Sequence, residues 1–184
     1  MNLDHPFNRI PAGRFSLVFL PTLVVTLVTG AAIVSALPGR ESYTLFDLAL
    51  AGSVARAEEV LSHWTERDRI HIAFVNGLDY LFGFVFFNTI ALASVWAARA
   101  FRARAWTFLG LALAWLSWAS VVLDVPENLA YLRMVFGTVD DPWPQVLRLC
   151  VVFRSCVFLI AVAYVGLGTV AWALARVRGN SQTR

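Results

Sequence analysis

The sequence predicts an all-α membrane protein, a four transmembrane helix bundle. Three observations carry that prediction. The chain is 59% hydrophobic and only 15% charged over 184 residues, with mean hydropathy +0.67, whereas a soluble domain averages about 25% charged residues. Four apolar segments reach the roughly 20 residues that a helix needs to cross a bilayer. Lysine is absent, and the arginines cluster at the ends of those segments. The alternating segments of about ten residues that mark a transmembrane β-barrel do not occur.

The first span covers about residues 15–37 and carries no charge beyond its start. Thr22, Thr26 and Thr29 fall on one of its faces, a stripe that reads as helix packing. Val34-Ser35-Ala36 resembles a signal-peptidase site. The apolar stretch exceeds the roughly 7–15 residues of a signal-peptide core, which favours an uncleaved anchor. In the loop that follows, Ser53 is a plausible N-cap for a helix over 53–64. Val54, Ala57, Leu61 and Trp64 form its apolar face, opposite Arg56, Glu59 and His63. Too short to span, it is expected to lie on the membrane surface or over the bundle, as a plain cover or as a lid.

The second span covers about 72–98. Asn76, Asp79 and Gly83 run along one stripe with Tyr80 beside it, and Asn88 points away. The third is apolar over 105–123 and is expected to stay helical to about 135. Ser117, Ser120, Asp124, Glu127, Asn128 and Tyr131 make one polar stripe along it. Pro126, inside that stripe, either bends the helix or ends it. The fourth span covers about 146–175, with Arg154 standing alone within Val151–Ile160. Cys150 and Cys156 lie six apart on different faces of that helix. They cannot pair with each other and read as small core residues. The four spans and the loop helix make one membrane domain, 1–184.

Orientation follows from the arginines. Arg9 and Arg14 precede the first span, Arg99, Arg102 and Arg104 join the second to the third, and Arg176, Arg178 and Arg184 follow the fourth. The positive-inside rule puts these regions, and both termini, in the cytoplasm, and the loop helix outside. The near-neutral first outer loop, with Glu41, Asp47, Glu58, Glu59, Glu66 and Asp68 against Arg40, Arg56, Arg67 and Arg69, fits that side.

Depth follows from counting. Asp79 lies 20 residues before Arg99, Asp124 lies 20 after Arg104, and Arg154 lies 22 before Arg176. At about 1.5 Å per residue these are about 30, 30 and 33 Å, one hydrocarbon thickness. The three charges are therefore expected at one level near the outer boundary, with Glu127 and Asn128 a turn further out. Arg154 is the expected counter-ion, since a guanidinium can hold two carboxylates. Three acids exceed one arginine unless Arg56, Arg67 or Arg133 joins them.

Arg56-Ala57-Glu58-Glu59-Val60-Leu61-Ser62-His63-Trp64, Leu78-Asp79-Tyr80 and Leu123-Asp124-Val125-Pro126-Glu127-Asn128 together resemble the motifs of a family of small bacterial four-helix integral membrane proteins. Its members typically carry an Arg-Ala-x-x-Ile-Leu-x-x-Trp loop helix, a Leu-Asp-Tyr or Leu-Asp-Phe segment, and Leu-Asp-x-x-Glu-Asn in the third span. The resemblance covers about 44–135, and Pro126 departs from it. It implies the topology, a bacterial cytoplasmic (inner) membrane location and the candidate residues, but no reaction. A looser similarity to sterol-isomerase-like four-helix proteins extends to the fold alone.

Three readings follow. Asp79, Asp124, Glu127 and Arg154 can be a structural clasp in an accessory protein that serves a partner membrane subunit. They can line a pocket for a lipid or other amphiphile, with Asn76, Tyr80, Ser120, Asn128 and Tyr131 as further ligand-binding residues. Or Asp79, Asp124 and Glu127 can serve as general acid and base on a lipid-like substrate. No cofactor or metal is expected: His5, His63 and His71 lie outside the spans or at an edge, and there is no His-Glu-x-x-His. There is no Gly-x-Ser-x-Gly and no Cys-x-x-Cys. No dense basic run with aromatics points to nucleic acid. The inner half of the spans carries too little charge for a channel or pump.

Overall fold

The computed structural model describes residues 3–37, 44–101 and 103–181, with side chains to residue 177. Arg40, Glu41, Arg102, Arg184 and the side chain of Arg178 lie outside that description. Among the described residues the chain is helical, without strands: α1 (Ala12–Ala36), α2 (Leu45–Ala49), α3 (Val54–Ser62), α4 (Glu66–Ala98), α5 (Arg104–Phe136) and α6 (Trp143–Ser181), preceded by a 3-10 turn, Pro6–Arg9. Four of these, α1, α4, α5 and α6, are long and apolar enough to cross a membrane. Leu17, Leu27, Val28, Leu159 and Val170 are each more than half exposed. In water that surface would be one large apolar patch, and lipid removes the problem. The chain is a multi-pass membrane protein.

The helices overrun the apolar segments for local reasons. α4 starts at Glu66, not near 72, because Thr65 and Asp68 form a capping box: Thr65 N donates to Asp68 Oδ2 at 2.9 Å and Asp68 N to Thr65 Oγ1 at 3.3 Å. α5 continues through Pro126 to Phe136. Proline has no N–H for the Val122 carbonyl, yet its fixed φ suits a helix, so one bond is lost and the helix runs on.

α4 is the central helix, packing on α1, α5 and α6, and α5 also packs on α6. The stripe on α1 meets α4, with Thr26 and Thr89 sharing a hydrogen bond of 3.1 Å. At the turn between α4 and α5, small residues let backbones close up. A Cβ on Gly168 would stand 2.5 Å from that of Ala97. At the other end, α2 and α3 close the bundle. Leu48, Ala57, Val60, Leu61 and Trp64 pack with Ala130, Met134, Val135 and Leu147. Arg69 fastens this cap, donating to the carbonyls of Leu61 and Val135, each at 3.2 Å.

The N-terminal segment is docked rather than trailing. His5 is fully buried, with ring centroids 4.5–5.1 Å from Phe7, Trp115 and Trp118. Trp115 Nε1 donates to the Asp4 carbonyl at 2.9 Å. Arg99 Nη2 donates to the carbonyls of Phe7, Asn8 and Ile10 at 2.8–3.2 Å. His5 Nδ1 accepts from Phe7 N at 3.2 Å, so in the neutral ring the proton sits on Nε2, which has no partner among the described residues.

Burial holds the His5 imidazole below its ordinary value, against the opposing charge of Asp4. The docked state thus prefers neutral histidine, and docking is complete above about pH 6.5 and weakens as pH falls below it. Tryptophan emission should change between pH 7.5 and 5 in the wild type and stay flat in His5→Phe. Identical profiles for the two proteins would reject this account.

Candidate functional site

The polar stripe of α5 faces inward: Asp124 is 3%, Glu127 8% and Asn128 1% exposed. Spacings of three and four residues put them on one side of the helix. Arg154 of α6 comes across to meet them. Its Nη2 stands 2.6 Å from Asp124 Oδ1, its Nη1 donates to Glu127 Oε2, and its guanidinium lies 5.0 Å from the ring centroid of Phe87 on α4. One fork therefore binds two acids of a single helix and rests on a third element.

The third acid is held differently. Asp79 is not in Arg154's fork; Asn128 Nδ2 stands 3.5 Å from Asp79 Oδ2. Asn76, one turn earlier on α4, donates to the Asn128 carbonyl at 3.3 Å. Gly83 explains how α4 comes so close. A Cβ there would stand 2.7 Å from Asp124 Oδ1, so any side chain would press on the clasped carboxylate. No loop arginine among the described residues joins the cluster: Arg56 pairs with Glu59 at 2.6 Å and Arg133 with Asp140 at 3.8 Å.

Beside the clasp lies a cavity of about 640 Å³ between α1 and α6, over α4. Asn76, Asp79, Glu127, Asn128, Tyr131 and Arg154, with Asp68 and Ser155, supply its polar lining. Phe82, Phe86, Phe87 and Phe158, with Ile33 and Val34 of α1, supply the apolar walls. Thr44, Leu45 and Phe46 close it from the α2 side. The Tyr131 hydroxyl donates to the Leu45 carbonyl at 3.2 Å, which ties α5 to that closure.

Six of the nine sequence candidates line this cavity, and three do not. Asp124 lies behind the fork of Arg154 and against Gly83. Ser120 is buried, but its hydroxyl donates to the Leu116 carbonyl of its own helix at 2.9 Å, which occupies its donor. Tyr80 is 41% exposed, because one residue beyond Asp79 on a helix is a turn of about 100°, enough to leave the inner face. The sequence reading missed the aromatic walls and the α1 contribution. Phe82 and Phe86 continue the Asn76–Asp79 stripe at helical spacing and could have been found that way. Ile33 and Val34 bear no local signal. Cys150 and Cys156 are both free.

Comparisons with family models, with curated proteins and with solved structures found no match.

Breaking one partner of a buried ion pair strands the other, at about 3–5 kcal/mol. Asp124→Asn and Arg154→Gln should each lower the unfolding temperature in mild detergent. The double variant should lose clearly less than the two losses added together, since both remove one interaction. Strict additivity would show that the two residues do not act as a unit.

Proposed function

We propose that this protein binds a membrane amphiphile in the cavity between α1 and α6, with the Arg154–Asp124–Glu127 clasp as its rigid wall. The single observation that carries this reading is the composition of the cavity. Aromatic and aliphatic walls lead to a floor that holds Asp79, a carboxylate outside Arg154's fork. Pockets for small amphiphiles are mostly apolar with a few placed polar groups. α1 has its main contacts with α4 and not with α6. A chain can therefore enter sideways from the bilayer, and the polar end meets Asp79 and Asn128.

On this reading the bundle sits in a bacterial inner membrane with both termini in the cytoplasm, and the α2–α3 cap covers the outer end of the pocket. Kinship with the four-helix family that the motifs resemble belongs to the same proposal. Binding is preferred to proton-transfer catalysis because Asp124, one of three candidate acids, is buried behind Arg154 and away from the cavity.

Ser155 lines the cavity from α6 and is exposed, beside the clasp but not part of it. Native mass spectrometry of protein extracted in a mild detergent should show one retained amphiphile per chain, lost in Ser155→Trp, whose indole fills the groove. Retention unchanged by that substitution, or wild-type protein free of adducts in several mild detergents, would defeat the proposal.

A further inference from the structure

The donor atoms of Asn76, Asn128, Tyr131 and Arg154 around the cavity each already face an acceptor of the protein. Asn76 Nδ2 donates to the Asn128 carbonyl at 3.3 Å, Asn128 Nδ2 faces Asp79 at 3.5 Å, and the Tyr131 hydroxyl donates to Leu45 O at 3.2 Å. Both terminal nitrogens of Arg154 face the carboxylates of Asp124 and Glu127. What remains without a counter-ion is a carboxylate. Asn128 lines the cavity too, but its Oδ1, without a partner among the described residues, is fully buried and not open to a ligand. Chemistry sets which end of that amide points where, because only its NH₂ can face a carboxylate. Asp79 also lines the cavity and, among the described residues, has no cation within ion-pair distance.

We infer that the cavity takes an amphiphile with a primary-ammonium head, its N–H groups on Asp79 and its chain between Phe82, Phe86 and Phe158. This deepens the amphiphile-binding reading above and rests on it. A buried carboxylate without a cation is costly. A primary ammonium answers it with N–H donors and one positive charge. A hydroxyl head brings one donor and no charge, and a quaternary ammonium brings charge and no N–H. An anionic head meets Asp68, Asp79 and Glu127 against one arginine. Fatty amines and ethanolamine-type lipid heads share the required chemistry.

The test uses full-length protein in a mild detergent and three probes with one chain length: dodecylammonium, dodecyltrimethylammonium and dodecanol. Binding is followed by native mass spectrometry and thermal shift. Dodecylammonium should bind about tenfold or more tightly than either other probe, the scale of a charge-assisted hydrogen bond. In Asp79→Asn, with folding checked by circular dichroism, that advantage should disappear. The wild-type series decides the matter by itself should the variant not fold. Equal binding of all three heads would overturn the ammonium assignment and leave the groove reading standing, and so would an advantage that survives Asp79→Asn. Binding of none would overturn both. Nanodiscs separate the two sources. Selective retention of phosphatidylethanolamine over phosphatidylcholine, displaced by dodecylammonium, supports the proposal with a lipid head as ligand. Dodecylammonium binding with neither lipid retained supports it with a free amine.

Discussion

The fork of Arg154 is the contact on which the arrangement of this bundle depends. Within a bilayer, apolar surface supplies little drive for helices to find each other, since lipid chains are as apolar as leucine. Position must come from close packing and from polar groups that have no alternative partner. Arg154 takes two acids of α5 at once and rests on Phe87 of α4, so it fixes the register of three helices. Such a pair is poor evidence of net stability, because removing charges from water is expensive. Its effect is on specificity. Displacing α6 by a turn would break the fork's hold on two acids at once.

The two ends of the bundle are closed by different means. At the α2–α3 end the closure is an apolar cluster with Arg69 donating to two exposed helix-end carbonyls, so backbone groups that lack helical partners are met by one side chain. At the opposite end Arg99 does the same for the 3-10 turn of the N-terminal segment, and His5 fills the aromatic notch beside it. A residue whose sequence position suggests only membrane orientation thus also anchors a segment by direct contact. The two roles are compatible, because a guanidinium at a helix end can satisfy carbonyls while part of its surface stays solvated.

The spans, and the shared level of Asp124 and Arg154, were legible in the sequence because helix rise is constant and arginines mark one side of a membrane. The inward face of the α5 stripe was legible for the same reason of periodicity. Which carboxylate each nitrogen of Arg154 takes was not, since that depends on how far α4 approaches, and Gly83 sets that approach through space rather than along the chain. Tyr80 illustrates the angular limit: periodicity finds a stripe, but where its edge falls depends on the neighbouring helix. His5 illustrates the distance limit, for nothing near it in the chain announces Trp115 and Trp118. The cavity was the least legible feature, because it forms where α1 and α6 both pack on α4 without packing closely on each other.

A clasp and a pocket look like competing accounts of one acidic cluster, and the geometry makes them parts of one account. A single guanidinium has two outward edges of donors, and here Asp124 and Glu127 occupy them. Asp79 comes from the other helix and is met by an amide that can offer it N–H but no charge. Both terminal nitrogens are therefore engaged by α5 alone, and the remaining carboxylate stands to the side, at the cavity between α1 and α6. There it lines a cavity instead of a helix interface. Were Arg154 to hold Asp79, the floor would be neutral and closed. Because it holds Glu127, the structure keeps both a rigid wall and an unmet acid beside an apolar groove.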